Sequence, residues 1–218
     1  MRNRARRPLT AAEEQRLLAV ARQHPSTRDR ALVLTQLYTG FRIAEVLSLR
    51  VGSVRRNGRL LPRIGVKPRF LKGKRGCTRW VPVTSELHAT LELHLQRMEA
   101  DSQAAGLGAL SDDCPLFLRV PLGEGAPESL STGAARKIFA RLFAQARCRN
   151  DGRLGTHTLR KTFARKVHEL SGHDIHVTCA ALGHSSIAVT ERYLEADARE
   201  VARLIRKADW TRRPRHAA

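Results

Sequence analysis

Acidic residues are scarce in this chain. Its 218 residues include 20 Asp and Glu against 40 Lys and Arg, which leaves a formal net charge of +20. A surface with this imbalance favours a polyanionic partner. Nucleic acid is the first candidate, because each phosphate that Lys or Arg neutralises releases condensed counterions and adds affinity that does not depend on base sequence.

Long apolar runs are also missing. No segment approaches the roughly 20 apolar residues that a spanning helix needs, and no charged N-terminal region leads into an apolar stretch with a cleavage site. Association with a membrane is therefore not predicted, and we expect a soluble protein that stays in the cytoplasm, near the nucleoid DNA if the source is bacterial. A hydrophobic content of 42% is enough for the core of one substantial domain.

Cysteine is rare, and the spacing of the cysteines does not indicate disulfide bonds or a metal site. The four cysteines lack any C-x-x-C pair and are expected to be reduced structural thiols: Cys77, Cys114, Cys148 and Cys179. One group could be imagined as zinc ligands, namely His168, His173, His176 and Cys179. Its spacing fits neither His-Glu-x-x-His nor a zinc finger, so no metal and no cofactor is predicted.

The pattern of apolar residues predicts a mainly α protein with a small antiparallel β-sheet, an α+β fold. A capping box at Thr10 and Glu13 starts the first helix, a second helix ends at Gly40, and a short helix is expected over Arg42 to Arg50. Strands are predicted over 59–64, 69–72 and 79–83, and a Gly- and Pro-rich connection over 106–128. Further helices are predicted over 85–98, 132–146, 159–170, 187–194 and 196–207.

Cleavage of a phosphodiester without a metal requires a nucleophile, cations around the non-bridging oxygens and an acid for the leaving 5′ hydroxyl. The segment from Gly40 to Glu45 supplies one cation, Arg42, in the first turn of a helix, where Glu45 can orient its guanidinium. Taken alone, such an Arg-Glu pair is more often a solvated surface pair.

A second candidate pair is His157 and Arg160. The two are three positions apart at a predicted helix start, so they project from one face toward a helix end that favours anions. They have the composition of a phosphate clamp. A helix cap or a partly buried histidine is the ordinary alternative.

The nucleophile candidate is Tyr193, nine positions after the His184 of a Leu-Gly-His segment. The chain has two tyrosines, and the other, Tyr38, fits an apolar helix face. A lone helical tyrosine usually contributes to packing. Tyr193 instead has charged neighbours, Glu191 and Arg192, which are typical of a solvated face.

In order along the chain, these segments resemble the tyrosine recombinase (phage integrase) family: Gly40-Phe-Arg42-Ile-Ala-Glu45, His157-x-x-Arg160, Leu182-Gly183-His184 and Tyr193. Each motif alone is weak, but four in this order are specific. The resemblance runs from about Leu9 to Leu194 and implies the catalytic-domain fold of that family.

The resemblance also implies a catalytic lysine on a β-hairpin turn. Counting back from Pro82 places it at Lys74, with Lys72 as the alternative because hairpin length varies. By residue type alone this segment is only a basic turn. Contacts with the DNA backbone are expected from four further cations: Lys72, Arg75, Lys161 and Arg192.

The mechanism implied by the family assigns each residue a role. Tyr193 attacks the scissile phosphate and forms a 3′-phosphotyrosyl link, which conserves the bond energy and requires no cofactor or metal. Arg42 and Arg160 hold the non-bridging oxygens, and Lys74 protonates the leaving 5′ oxygen. The remaining two act at either side of the phosphate: His157 assists proton transfer at the tyrosine, and His184 donates a hydrogen bond to a phosphate oxygen.

Two departures from the family stand out. Lys161 occupies a position where histidine is common, and the usual N-terminal core-binding domain is missing, so the chain is expected to be a fragment or a short natural member. The expected domains are a basic arm (1–8), a catalytic domain (9–195) and a C-terminal basic helix and tail (196–218) that neighbouring subunits could exchange. The basic ends, including Arg6 and Arg7, are candidates for extra phosphate contacts.

Partners and competing functions follow from the same resemblance. Double-stranded DNA is the expected partner, bound by a homotetramer on paired sites, with a monomer free in solution. The reaction could be integration, excision or inversion of DNA segments, as in a mobile element. The alternatives are a DNA-relaxing enzyme similar to type IB topoisomerases and a DNA-binding regulator without catalysis.

Overall fold

The computed structural model describes residues 6–66, 78–184 and 187–191. These contain nine helices and four short strands: α1 (Ala11–Gln23), α2 (Thr27–Thr39), α3 (Ile43–Leu47), α4 (Val51–Val54), β1 (Arg55–Arg56), β2 (Arg59–Leu60), β3 (Arg63–Val66), β4 (Arg79–Pro82), α5 (Ser85–Ala104), α6 (Thr132–Gln145), α7 (Thr158–Leu170), α8 (Ile175–Leu182) and α9 (Ile187–Glu191). Several predictions lie outside the described residues: the strand over 69–72, the helix over 196–207, Lys72, Lys74, Arg75, Arg192 and Tyr193.

Helix α2 is the centre of the core. Every residue from Ala31 to Leu37 is buried, and α2 packs against α1, α5 and α7, which explains why it shows no single apolar face. The predicted capping box at the start of α1 is confirmed, since Thr10 and Glu13 each accept a hydrogen bond from the other's backbone amide. Gly40 ends α2, as predicted, and the structure shows it in the left-handed conformation.

The single helix predicted over Arg42 to Arg50 is wrong in extent. The structure forms α3 and α4 instead, and Arg42 is the residue before α3 rather than part of its first turn. Arg50 has extended backbone angles, and its amide donates to Ser53 Oγ at 3.0 Å, which starts a new helix. The local side-chain bond at Ser53 therefore competes successfully with continuation of the helix.

The sheet is smaller and more divided than the sequence indicates. Strands β1 and β2 pair around a turn at Asn57 and Gly58, both with positive φ, and β3 pairs antiparallel with β4 in a separate sheet. The predicted strand over 59–64 is interrupted at Pro62, which has no amide hydrogen to donate to a neighbouring strand.

The C-terminal half follows the predicted helices, with two differences. Helix α5 continues to Ala104, six residues beyond the predicted end at Met98. Helix α8 was not predicted: Asp174 caps it by accepting from the amides of His176 and Val177, and Gly183 ends it at φ 62°. Across the described part of the chain, no helix has both the length and the apolar content to cross a membrane.

Candidate active site

Arg160 is the largest fully buried side chain in the described part of the chain, with 0% exposure. Its guanidinium extends from α7 and donates to the carbonyl of Gly40, at the end of α2, and to that of Leu182, at the end of α8, the latter at 2.9 Å. Nη2 also lies 2.9 Å from Nε2 of His184. Arg160, from the His157-x-x-Arg160 motif, therefore connects the segment that begins at Gly40 with the Leu182-Gly183-His184 segment.

Glu45 lies beside this guanidinium and is 1% exposed. One carboxylate oxygen accepts from the Arg42 amide at 2.8 Å, and the other accepts from Arg42 Nη1 at 2.7 Å. The carboxylate is also 3.9 Å from Arg160 Nη1. The spacing of Arg42 and Glu45 thus gives a partly buried ion pair, and the Arg42 side chain keeps 23% of its surface exposed, where it can reach a ligand. Four residues form what we call the arginine pocket: Arg42, Glu45, Arg160 and His184.

The protonation state of His184 follows from two of its contacts, those with Arg160 and Thr190. An arginine can only donate, so Nε2 facing Arg160 Nη2 must be the acceptor, and the ring proton lies on Nδ1, 2.9 Å from Thr190 Oγ1. Burial and the charges of Arg160 and Arg42 lower the pKa of His184 to about 3. The imidazole is therefore neutral at physiological pH.

His157 immediately precedes α7 and is surface-exposed, three residues from Arg160. Desolvation of the ring by neighbouring groups, together with the nearby charges of Arg160 and Arg42, lowers its pKa below the usual value for histidine. Its ring is therefore neutral at pH 7 and able to accept a proton. Lys161, the next residue after Arg160, is half-buried and adds to this positive potential.

Two of the motifs contain a glycine at a position where a side chain would not fit. Gly40 has φ +60°, and a Cβ there would lie 2.2 Å from Cδ1 of Phe163. Gly183 has φ +62°, and a Cβ there would lie 2.6 Å from Cδ of Arg79. Both positions therefore require the left-handed conformation and close approach that glycine permits.

The N-terminal arginines have internal partners. Arg7 donates to both carboxylate oxygens of Glu13, at 2.7 and 2.8 Å, and to Asp151 at 3.0 Å, and its side chain is 12% exposed. Arg6 donates to the carbonyls of Gly152 and Leu154. Arg7 thus directs its donors to its own chain, and a contact with phosphate from this residue stays a prediction.

The sequence patterns did not identify two residues of the site. Thr190, fully buried on α9, holds the His184 ring, and Arg79, the first residue of β4, lies with its guanidinium 3.8 Å from Glu45. Thr190 carries no sequence signal of its own, and Arg79 was one of many arginines in a basic segment. In the described ranges, no three His, Cys, Asp or Glu side chains are placed to hold a metal ion, and Cys114, Cys148 and Cys179 are free thiols.

The helical fold and the arginine pocket together define a domain in which the cations of two motifs, Arg42 and Arg160, meet at one carboxylate. The chain belongs to the phage integrase family, whose model matches residues 7–200. The resemblance seen in the sequence motifs is confirmed by this match, and with it the catalytic-domain fold.

Curated relatives are similar at modest identity. The chain is 26% identical over 201 residues to tyrosine recombinase XerA of Pyrococcus furiosus, covering 92% of this chain and 61% of that protein. It is 29% identical over 215 residues to tyrosine recombinase XerD of Ralstonia nicotianae, covering 86% and 62% respectively. The chain thus spans about three-fifths of the length of these relatives.

Solved structures show the same fold. The crystal structure of XerA recombinase matches with a TM-score of 0.68 at 23% identity, over 95% of this chain and 65% of that one. XerH recombinase bound to its difH substrate matches with a TM-score of 0.65 at 21% identity, over 94% and 55%. A lambda integrase dimer bound to a core site matches with a TM-score of 0.60 at 16% identity, over 91% and 62%.

Proposed function

We propose that this chain is a site-specific DNA recombinase that breaks and rejoins strands through a 3′-phosphotyrosyl intermediate on Tyr193. The observation that carries the proposal is the arginine pocket. Arg42 and Arg160, from separate elements, share the carboxylate of Glu45, and the neutral ring of His184 completes the group. Membership of the phage integrase family supports the same reaction.

The reaction exchanges one phosphoester for another. The Tyr193 phenol oxygen attacks phosphorus, the bond to the 5′ oxygen breaks, and that oxygen leaves as a hydroxyl after protonation by Lys74. His157 receives the phenol proton, a role that a neutral imidazole can perform. Arg42 and Arg160 neutralise the charge that develops on the non-bridging oxygens. Attack by a 5′ hydroxyl of another strand reverses these steps and yields the recombinant strand.

The geometry refines the role of His184. In the described arrangement its Nε2 accepts from Arg160, so it cannot donate to a phosphate oxygen at the same time. When a phosphate draws the Arg160 donor toward itself, Nε2 is released. The Thr190 hydroxyl can donate as well as accept, so it can support the tautomer that carries the proton on Nε2 and donates to the phosphate.

Partners and location are part of the proposal. Double-stranded DNA is the substrate, and four copies act on paired sites while a single copy is the form free in solution. The net charge of +20 supports binding to the DNA backbone through counterion release. The backbone contacts that we assign, namely Lys72, Arg75, Lys161 and Arg192, would act with the pocket in the cytoplasm.

The test is covalent capture of DNA. Duplexes that are randomised in sequence and nicked beside the randomised segment are incubated with the protein, because loss of the short 5′-hydroxyl strand prevents religation and traps the adduct. We expect a detergent-stable adduct with the wild-type chain and none with Tyr193→Phe. Sequencing the captured strands then gives the site. Equal capture by Tyr193→Phe, or no adduct from any wild-type reaction, would overturn the proposal.

The same preparations separate the alternatives. A supercoiled plasmid that lacks the captured sequence should stay supercoiled, because a site-specific recombinase requires its site. Relaxation of that plasmid would instead indicate an enzyme similar to type IB topoisomerases. Specific binding of a duplex from the randomised pool without an adduct would indicate a regulator.

A further inference from the structure

Arg79 is a buried arginine that the proposed chemistry does not use. It starts β4, its side chain is 8% exposed, and its guanidinium lies 4.8 Å from the centre of the Phe41 ring. Nη2 donates to the carbonyl of Thr39 at 2.8 Å and, through a short contact, to the carbonyl of Ala181. These two carbonyls come from the ends of α2 and α8.

Arg79 and Arg160 span the same two segments side by side. Arg160 donates to the carbonyls of Gly40 and Leu182, and Arg79 donates to the carbonyls that precede each of them. The first segment leads to Arg42 and the second to His184. Two guanidiniums, rather than that of Arg160 alone, therefore connect the turn that leads to Arg42 with the turn that leads to His184.

The electrostatic environment of Arg79 indicates that this residue does not serve mainly to stabilise the fold. Arg79, Arg160 and Arg42 surround one carboxylate, and burial next to Arg160 lowers the pKa of Arg79 to about 9. Among the described residues, neither Nε nor Nη1 of Arg79 has a hydrogen-bond partner, and both atoms are buried. An apolar side chain of similar length would be easier to bury at this position.

Space for Arg79 is made by the Leu-Gly-His motif. A Cβ on Gly183 would lie 2.6 Å from Arg79 Cδ and 3.3 Å from Nε. The glycine before His184 therefore allows the arginine stem to pass against the backbone of the turn. Nη2 of Arg79 is bonded to the two carbonyls, and Nε and Nη1 are enclosed, so we assign Arg79 no contact with a DNA phosphate.

We propose that Arg79 is a positioning residue that fixes the separation of the Arg42 and His184 turns, so that both groups meet one phosphate. It acts through Arg160 and His184 and not on the substrate. This inference rests on the proposed recombinase function for its catalytic consequence. Its structural consequence, the placement of the His184 ring, can be measured without DNA.

The first measurement is the NMR signature of the His184 ring nitrogens in the full chain labelled with ¹⁵N-histidine. We expect the wild type to show Nδ1 protonated, and Arg79→Met to increase the tautomer with Nε2 protonated, because the turn moves away from Arg160. Arg28→Met is the matched control, since Arg28 also bridges two carbonyls, those of Leu118 and Arg119, away from the pocket. It should leave the His184 signals unchanged.

The second measurement is single-turnover cleavage of the captured site. For Arg79→Met we expect a rate about 100-fold lower with a DNA dissociation constant within about twofold of wild type, because the catalytic groups are misplaced and no phosphate contact is lost. Arg28→Met should cleave at the wild-type rate.

Arg79→Lys keeps the charge and the apolar stem, so it tests the inference if Arg79→Met fails to fold. A single ammonium cannot reproduce the geometry of the guanidinium, so its rate should be about tenfold below wild type. Wild-type cleavage and unchanged His184 signals in Arg79→Lys would overturn the inference, as would a loss of DNA affinity that matches the loss of rate. If the wild type forms no adduct, the proposed function fails. The NMR comparison still tests whether Arg79 determines the position of the His184 ring.

Discussion

Replacing Gly40 by alanine tests the steric requirement that connects α2 to the arginine pocket. The new Cβ would lie 2.2 Å from Phe163 Cδ1, far inside the 3.4–4 Å of an ordinary contact, so the ring or the backbone must move. The left-handed conformation costs about 1–2 kcal/mol for a residue with a Cβ. Overpacking adds about 1–3 kcal/mol. We therefore expect Gly40→Ala to lower the free energy of unfolding by about 2–5 kcal/mol.

Gly58→Ala isolates the backbone contribution. Gly58 has φ +74°, and nothing lies within 4 Å of a Cβ built there, so we expect the loss to be about 1–2 kcal/mol. Urea denaturation of both variants gives the difference, and Phe163→Leu in the Gly40→Ala background should recover part of it. Equal destabilisation by the two alanines, or no recovery with Phe163→Leu, would refute the assignment of the additional loss to the Phe163 contact.

Three further predictions concern the arginine pocket. Glu45→Gln leaves the surrounding guanidiniums without a carboxylate and should lower the free energy of unfolding by about 3–5 kcal/mol in urea denaturation; wild-type stability would contradict the role of Glu45. Thr190→Val removes the acceptor of the His184 Nδ1 proton and should cost about 1–2 kcal/mol, whereas Thr190→Ser should retain most of the stability, and equal losses would argue against the hydrogen bond. Stability should fall as pH drops below about 6.5, because the unfolded chain binds a proton on His184 that the folded chain excludes until about pH 3. For this half-exposed ring, solvent screening reduces the effect to about 1–2 kcal/mol, and His184→Gln should flatten the profile in that range.

The local signals in the sequence predicted most helix ends. The Thr10 and Glu13 box and the left-handed Gly40 depend only on neighbours in the chain, so their patterns predict α1 and the end of α2 correctly. The division between α3 and α4 was not predictable in the same way. Besides the local bond to Ser53, Arg50 pairs with Pro115, a contact between distant positions that the sequence pattern does not contain.

The candidate site likewise contains contacts between neighbours in the chain, which the sequence predicts, and contacts between distant residues, which it does not. Arg42 and Glu45 are neighbours on the chain, and their spacing predicted their ion pair. The contacts of Arg160 with Gly40 and Leu182 join residues 120 and 22 positions apart, so periodicity and charge patterns do not contain them. The family motifs identified Arg160 without indicating that its guanidinium is fully buried.

Burial of Arg160 changes how the pocket should respond to salt. Surface cations are screened over about 8–10 Å at moderate ionic strength, whereas enclosed charges are screened much less. Arg160 is 0% exposed and Arg42 keeps 23% of its side chain exposed, so added salt should weaken DNA binding far more than it weakens the contacts within the pocket. A cleavage rate measured at saturating DNA should therefore change little with salt while the dissociation constant rises steeply. A parallel fall in both would mean that the pocket is assembled by the DNA rather than by the fold.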